Sequence, residues 1–280
     1  MAALTHVESH FRFGENWAEF AHNVDRDRID QARRDLARLI GKENLSGLTF
    51  LDIGSGSGIH SLAALQLGAT VTAIDIDPES VATTKGMLER FAANAPWCAR
   101  LASIFNLEPA SFGRFDIVYS WGVLHHTGAM LDAIRAAAGL VKDDGVFCVA
   151  LYGQTALCGL WRWEKRLYSR APGWMQRALQ KLYVSLFWLL QSARGARRGR
   201  FFSLREHVQN YMQRRGMNFY TDVHDWLGGY PYESISPEKL RDFMRQLGFV
   251  EQRSFILPGV RHGLLGSGCD EYVFVKRATR

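Results

Sequence analysis

The sequence offers no apolar run long enough to cross a bilayer. Its most apolar stretch, LYVSLFWLL at residues 182–190, is nine residues long, about half of the ~20 that a spanning helix requires. The N-terminal MAALTHVESHFRFGENW lacks both the basic start and the continuous apolar core of a secretory signal. Cysteine is sparse and scattered: Cys98, Cys148, Cys158 and Cys269 form no CxxC pair and have no histidine at metal-ligand spacing, so neither a zinc ribbon nor a disulfide framework is indicated. The expectation is four reduced thiols in a cytoplasmic protein without a bound metal. No internal repeat is visible.

What is present suits a folded domain. Apolar residues make up 47% and charged residues 22% of the 280, enough to bury a proper core and too apolar for a disordered chain. The net charge of +6 is unevenly spread. Residues 151–220 carry thirteen Lys/Arg against two acids, Glu164 and Glu206, a local charge of +11, which leaves −5 for the remainder. A basic segment of that kind points to an anionic or interfacial partner.

Between residues 48 and 149, short runs rich in β-branched residues alternate with Ala-rich helical stretches, the pattern of a parallel sheet covered by helices. The predicted strands are LTFLDI, TVTAID, the run near residues 97–104, FDIVYS and GVFCVALY. Helices are predicted over 59–66, 78 to about 93, and 130–140. After Tyr152 the chain becomes dense in Trp, Leu, Gln and Arg, which reads as helical hairpins with ARGARRGR (193–200) as a solvated, mobile link. The α/β pattern resumes with PEKLRDFMRQLGF, a helix capped by Ser236, and two further strands, FVEQRSFIL and DEYVFVK, separated by a Gly-rich loop. The fold class is therefore α/β: a Rossmann-like, seven-stranded, mostly parallel sheet with helices on both faces and an inserted helical cap. The organisation expected is an N-terminal helical lid (1–47), a cofactor-binding core (48–152), a helical substrate cap (153–236) and the rest of the core (237–280).

The chemistry-bearing motif is LDIGSGSG, where a strand containing Asp52 turns through Gly54, Gly56 and Gly58 into a helix. Glycine lets such a loop bend tightly and lets a ligand approach the backbone. The spacing differs from the Gly-x-Gly-x-x-Gly dinucleotide fingerprint, and Asp52 stands where a pyrophosphate would be repelled. A carboxylate there suits a cofactor with a cationic amino-acid end. Asp75, at the tip of the next strand in AIDIDP, is placed for two ribose hydroxyls, with Ile76 beside it for an adenine face. The bland reading of the loop is a ligand-free strand-helix turn; for Asp75 it is a helix cap.

Together the glycine loop, the acid 17 residues beyond Gly58 and the strand end FDIVYSWGVLHH resemble the class I S-adenosylmethionine-dependent methyltransferases, and among them the small-molecule members related to ubiquinone-biosynthesis O-methyltransferases. The resemblance is firm over residues 48–152 and rests on pattern over 237–276. It implies S-adenosyl-L-methionine as cofactor, with Asp52 and the Gly54 backbone on the methionine amino group, Gly56 along the cofactor and Asp75 on the ribose. Ser120 and Trp121 would face the methionine portion. The family often carries an acid near the adenine after the third strand; here the sequence is ASIFN, leaving Ser103, Ile104 and Asn106.

The acceptor is less legible. Nucleobase-directed enzymes typically carry an (Asp/Asn)-Pro-Pro-aromatic motif where this chain has Ser120, Trp121, Gly122 and Val123, which disfavours base N-methylation. A hydroxyl acceptor benefits from a base, and His125, His126 and His224 are the candidates; for His125 and His126 the alternative is a ring packed beneath the loop that pins its backbone. His224 lies in FYTDVHDW with Tyr220, Asp222 and Asp225. These residues, with Trp17 and Tyr230, are candidate substrate contacts, against a polar turn as the alternative. Asp and His two apart supply too few ligands for a metal. FRFGENW, with Phe11, Phe13 and Trp17, reads either as a lid over the cofactor or as a helix on the sheet's edge.

The expected function is methyl transfer by in-line displacement to a hydroxyl of a small molecule, whether phenolic, sugar or lipid-linked. An RNA methyltransferase gripping phosphates through the basic insert and a non-catalytic cofactor-binding module are the rivals. Nucleic acid is disfavoured because no RNA-binding appendage is recognisable. Residues 174–200, basic and aromatic, either lie on an anionic membrane or form an ordinary helical cap.

Overall fold

The computed structural model describes residues 14–215, 218–256 and 268–277. Seven strands, β1 (Thr49–Ile53), β2 (Thr70–Asp75), β3 (Trp97–Leu101), β4 (Phe115–Trp121), β5 (Val141–Tyr152), β6 (Phe249–Phe255) and β7 (Cys269–Lys276), form one sheet in the order β3-β2-β1-β4-β5-β7-β6. The β1–β5 strands pair in parallel, while β7 runs antiparallel to both of its neighbours. The strand order reverses between β1 and β4, the point at which open α/β sheets leave a crevice beyond the strands' carboxyl ends.

The described helices are α1 (Gly14–His22), α2 (Arg26–Ile40), α3 (Ile59–Gln66), α4 (Pro78–Ala92), α5 (Pro109–Phe112), α6 (Met130–Gly139), α7 (Cys158–Arg170), α8 (Gly173–Ala196), α9 (Leu204–Arg215), α10 (Phe219–Gly228) and α11 (Pro237–Gln246). Local signals set their ends. Asp77 caps α4 by accepting from the Glu79 N–H, with Pro78 in the first turn, where its missing donor costs nothing. Ser236 caps α11 through the Lys239 N–H. On one face of the sheet α2, α3 and α4 bury Leu36, Leu62 and Leu88 against Phe50 and Val71. On the other, α6 and α11 bury Ile134, Leu240 and Met244 against Leu51, Phe147 and Phe274.

Between β5 and α11 the chain builds a third, smaller core from Tyr168, Val184, Phe219, Val223 and Leu227. Two expectations for this region are corrected. ARGARRGR is not wholly a link, because α8 runs to Ala196 and Ala and Arg are good helix formers. FYTDVHDW is not a polar turn: it forms most of α10, opened by Asn218, whose side chain accepts from the Tyr220 N–H. Elsewhere β5 begins at Val141, before the predicted GVFCVALY, with Asp144 at φ 60°. Phe11 and Phe13, and most of the Gly-rich loop between β6 and β7, lie outside the described residues.

Asp116 clamps the amino-terminal ends of three strands. Its Oδ2 accepts from the Thr49 N–H (2.8 Å), the Thr49 hydroxyl (2.6 Å) and Lys142 Nζ (2.8 Å). Partial burial opposes its ionisation, but the hydrogen bonds from Lys142 and Thr49 outweigh this and hold its pKa at about 2. A depressed carboxylate contributes stability that is in place above its unfolded pKa and is lost as pH falls through the folded one. Asp116→Ala should therefore destabilise the fold by about 1–2 kcal/mol at pH 7 in denaturant unfolding, with the gap to the parent chain narrowing as pH is lowered towards 2.

Candidate active site

The turn after β1 opens the crevice. Gly54 and Gly56 both adopt left-handed backbone, φ 75° and 53°, which L side chains rarely tolerate. A Cβ on Gly54 would stand 2.5 Å from the Val123 side chain, and one on Gly56 would stand 3.1 Å from the Trp17 indole. The Ile74 carbonyl accepts from the Gly54 and Ser55 N–H groups at 2.8 and 3.1 Å, tying the turn to β2. From α4 the buried Thr84 hydroxyl donates to the Gly56 carbonyl (3.1 Å) and pairs with the Ser55 hydroxyl at 2.9 Å. The signal for Thr84 is absent from the motif because the contact bridges 28 residues.

Two carboxylates stand at the crevice without a cationic partner in hydrogen-bonding range among the described residues. Asp75 accepts from the Gly56 N–H through Oδ2 and from the Asp77 N–H through Oδ1, each at 3.0 Å. Burial nevertheless pushes its pKa up to about 6, against these backbone hydrogen bonds. Each oxygen retains a lone pair for a further donor. Asp52 is more deeply enclosed; its Oδ2 accepts from the Ser61 hydroxyl at 2.6 Å. Burial raises its pKa to about 7, Ser61 opposing and the Asp75 charge adding.

A cavity of about 960 Å³ runs from this turn to the helices inserted after β5, at the upper end of the ~300–1,000 Å³ usual for ligand pockets. Gly54, Gly56, Asp75, Ile76, Ser103 and Ile104 line one part of it, and Trp121 also reaches it. Asp52, Gly58 and Ser120 do not line it. Asp52 faces Ser61, Gly58 opens α3, and the Ser120 hydroxyl donates to the Ile53 carbonyl at 3.1 Å. These three shape the wall from behind. The donor set fits a nucleoside with a cationic end: a paired-acceptor carboxylate for a diol, apolar Ile76 and Ile104 for a base, and an ionisable acid one layer deeper.

The three candidate histidines separate. His126 lines the cavity, and its Nδ1 lies 2.7 Å from the Pro231 carbonyl. A carbonyl only accepts, so Nδ1 carries the proton and Nε2 carries the lone pair of the neutral ring. His125 does not line the cavity: it is fully buried against Tyr152, ring centroids 3.9 Å apart. Neither ring nitrogen has a hydrogen-bond partner among the described residues. Burial first, and the His126 and Lys165 charges after it, push its pKa far down, so it is a neutral packing ring. His224 is likewise absent from the cavity wall, its Nδ1 2.6 Å from the Tyr168 hydroxyl, because the helical turn of α10 carries it away from Asp222 and Asp225.

Asp222 and Asp225, three apart on α10, both line the cavity, as do Trp17 and Tyr230. Tyr220 is half exposed and does not. Burial, reinforced by the Asp222 charge and opposed by Asn16, raises the Asp225 pKa to about 8, making it a neutral acid near pH 7. Asn16 donates to Asp225, so α1, which sets Trp17 over Gly56, also reaches α10. Two cavity imidazoles were missed by sequence reading, His207 on α9 and His60; His60 lies in the first turn of α3, beside Tyr119 and Trp121 at centroid distances of 5.2 and 6.3 Å. Burial pushes its pKa down to about 4. Its place directly after the glycine turn was the available signal.

A carboxyl whose folded pKa is raised binds its proton more tightly in the native state, so native stability falls as pH rises from about 4 through about 7. Asp52→Asn should remove that cost: its melting temperature should exceed the parent's at pH 8 by a few degrees, with the difference vanishing near pH 4. A lower melting temperature at pH 8 would refute the uncompensated burial.

Comparison with known proteins agrees with this geometry. A family model described as a methyltransferase domain matches residues 24–221. The ubiquinone biosynthesis O-methyltransferase of Methylobacterium sp. (strain 4-46) is 34% identical over 116 residues, 41% of this chain and 45% of that protein. The one from Xanthomonas campestris pv. campestris (strain B100) is 35% identical over 111 residues, 40% and 46% of the two chains. The chain thus spans about half the length of these curated relatives. Among solved structures, PKMT2 from Rickettsia typhi in complex with AdoHcy superposes with a TM-score of 0.57 at 13% identity, covering 89% of this chain and 54% of that one. Magnesium protoporphyrin IX methyltransferase from Synechocystis PCC 6803 with bound SAH gives 0.51 at 16% identity, covering 89% and 82%. At such identities the two structures establish a shared fold. With the family match extending over more than half of its length, the chain belongs to the methyltransferase-domain family.

Proposed function

We propose that the chain transfers the methyl group of S-adenosylmethionine to a hydroxyl of a small-molecule acceptor, with His126 receiving the proton. The observation that carries this reading is the His126 tautomer: its Nδ1 is engaged by the Pro231 carbonyl, so the basic nitrogen belongs to a ring on the wall of the cofactor cavity. His60 is the weaker candidate, because an imidazole whose pKa is near 4 is a poor base at neutral pH. The hydroxyl class is also supported by the ubiquinone biosynthesis O-methyltransferases matched over the core.

In this reading Asp75 accepts from the ribose hydroxyls, Ile76 and Ile104 flank the base with Ser103 at its edge, and the Gly54–Gly56 backbone and Trp121 run along the amino-acid portion. Asp52 supplies negative charge from behind the wall. Bound there, the cofactor supplies an electrophilic methyl group on its sulfonium. The protein's task is then to align an oxygen with that methyl and to exclude water. Trp17, from an N-terminal lid, closes the glycine turn, and residues 153–236 act as the substrate cap, presenting Asp222, Asp225 and Tyr230 to the acceptor. Phenolic, sugar and lipid-linked alcohols all satisfy this arrangement.

Incubating the protein with methyl-labelled cofactor and a metabolite extract, then identifying the labelled product, tests the acceptor class; label on nitrogen or carbon would overturn the hydroxyl assignment. Asp75→Ala should weaken cofactor binding at least tenfold by calorimetry with the melting temperature preserved. In the parent chain, affinity should fall as pH drops through about 6, since protonated Asp75 loses its charge and an acceptor site. His126→Gln should lower kcat by roughly 10²–10⁴-fold while leaving cofactor affinity unchanged. Wild-type turnover in that variant would place proton removal elsewhere.

A further inference from the structure

The cap helix α8 has two functional sides. Tyr183, Phe187 and Gln191 face the cavity, and Val184 packs in the cap's own core. The remaining side is apolar and uncovered. Trp174, Leu182, Leu186, Leu189 and Leu190 are exposed, Trp174 to 66% and Leu182 to 56%, with the exposed Ala178 between them. The spacing 174, 178, 182, 186, 189 recurs every three to four residues and draws one stripe along a 24-residue helix. No Asp or Glu occurs anywhere in α8. Arg177, Lys181 and Arg194 flank the stripe, Arg197, Arg198 and Arg200 follow it, and none of the six is in an ion pair with a described residue. Between residues 151 and 211 Glu206 is the only exposed acid. The neighbouring α7 repeats the theme, with exposed Leu160, Trp163 and Leu167 interleaved with Arg162, Arg166 and Arg170.

We propose that α8 is a peripheral docking surface for an anionic lipid bilayer, lying in the headgroup region with its Leu/Trp stripe inserted and its arginines and lysine on the acidic headgroups. An apolar stripe beside a dense, unneutralised positive charge is what an interfacial helix presents. No described helix is long and apolar enough to cross a membrane, so the contact lies on the surface. A second copy of the chain fits poorly, since an isologous contact would set the same cations against one another. Nucleic acid would satisfy the cations and leave the leucines in water. The proposal is independent of which atom receives the methyl group. Its physical consequence is that one helix separates bilayer from cavity, giving an apolar acceptor a short route between them.

The test is co-sedimentation of the full chain with vesicles of phosphatidylcholine alone and of phosphatidylcholine with about 30% phosphatidylglycerol. The expected result is binding to the anionic vesicles at least tenfold stronger than to the neutral ones and weakened by 0.5 M salt. Leu182→Gln/Leu186→Gln/Leu189→Gln should lower that binding at least tenfold with calorimetric cofactor affinity unchanged. Arg177→Gln/Lys181→Gln/Arg194→Gln serves as an independent charge variant should the first fail to fold. No binding to anionic vesicles, or wild-type binding by the folded variants, overturns the proposal. So does a dimer in light scattering that the leucine variant converts to monomer, or tight RNA binding that it leaves untouched.

Discussion

Burying a carboxylate without a cation is costly, and this chain does it twice at the end of adjacent strands. Asp52 and Asp75 sit at the carboxyl ends of β1 and β2, enclosed enough that burial lifts their pKa values to about 7 and 6. The surrounding structure is arranged to tolerate them: a serine hydroxyl donates to one and two backbone N–H groups to the other. In the proposed reading a positively charged, hydroxyl-bearing ligand offsets that cost, meeting Asp75 directly and Asp52 through the wall. The glycine turn, the α4 threonine that braces it and the indole that covers it all serve that enclosure.

The same logic explains why the sheet order matters. Because β1 lies between β2 and β4, the turn after β1, the acid after β2 and the strand end of β4 converge although they are separated by tens of residues. His126 joins this group from a short turn beyond β4, and the inserted helices close over it from the other side. The inserted helices are supported by their own small core and so add a wall without disturbing either face of the sheet.

Much of this was legible before any coordinates. The strands from β1 to β5, the glycine turn and Asp75 follow from local patterns: β-branched runs, positive-φ glycines and a helix cap at a fixed offset. Each is decided by a few neighbouring residues. The insertion was less legible because its segments lack the sharp periodic contrast of the core. The acidic and aromatic composition of FYTDVHDW suits a turn until Asn218 caps it and Phe219, Val223 and Leu227 find the cap's core.

By itself, the sequence determined the α/β class, the glycine turn and its acids, and the uneven charge that sets the cap apart from the core. The tertiary structure alone decided which of three similar imidazoles reaches the cavity. His125 and His126 are adjacent, yet one is packed against Tyr152 with no hydrogen-bond partner among the described residues and the other is held by Pro231 from 105 residues away. A side chain's protonation and access depend on what other parts of the chain bring against it, and no local pattern encodes those contacts. Likewise only the packing of α8 shows that its leucines face outwards: hydrophobic periodicity identifies a face, and burial against the rest of the fold decides whether that face is core or surface.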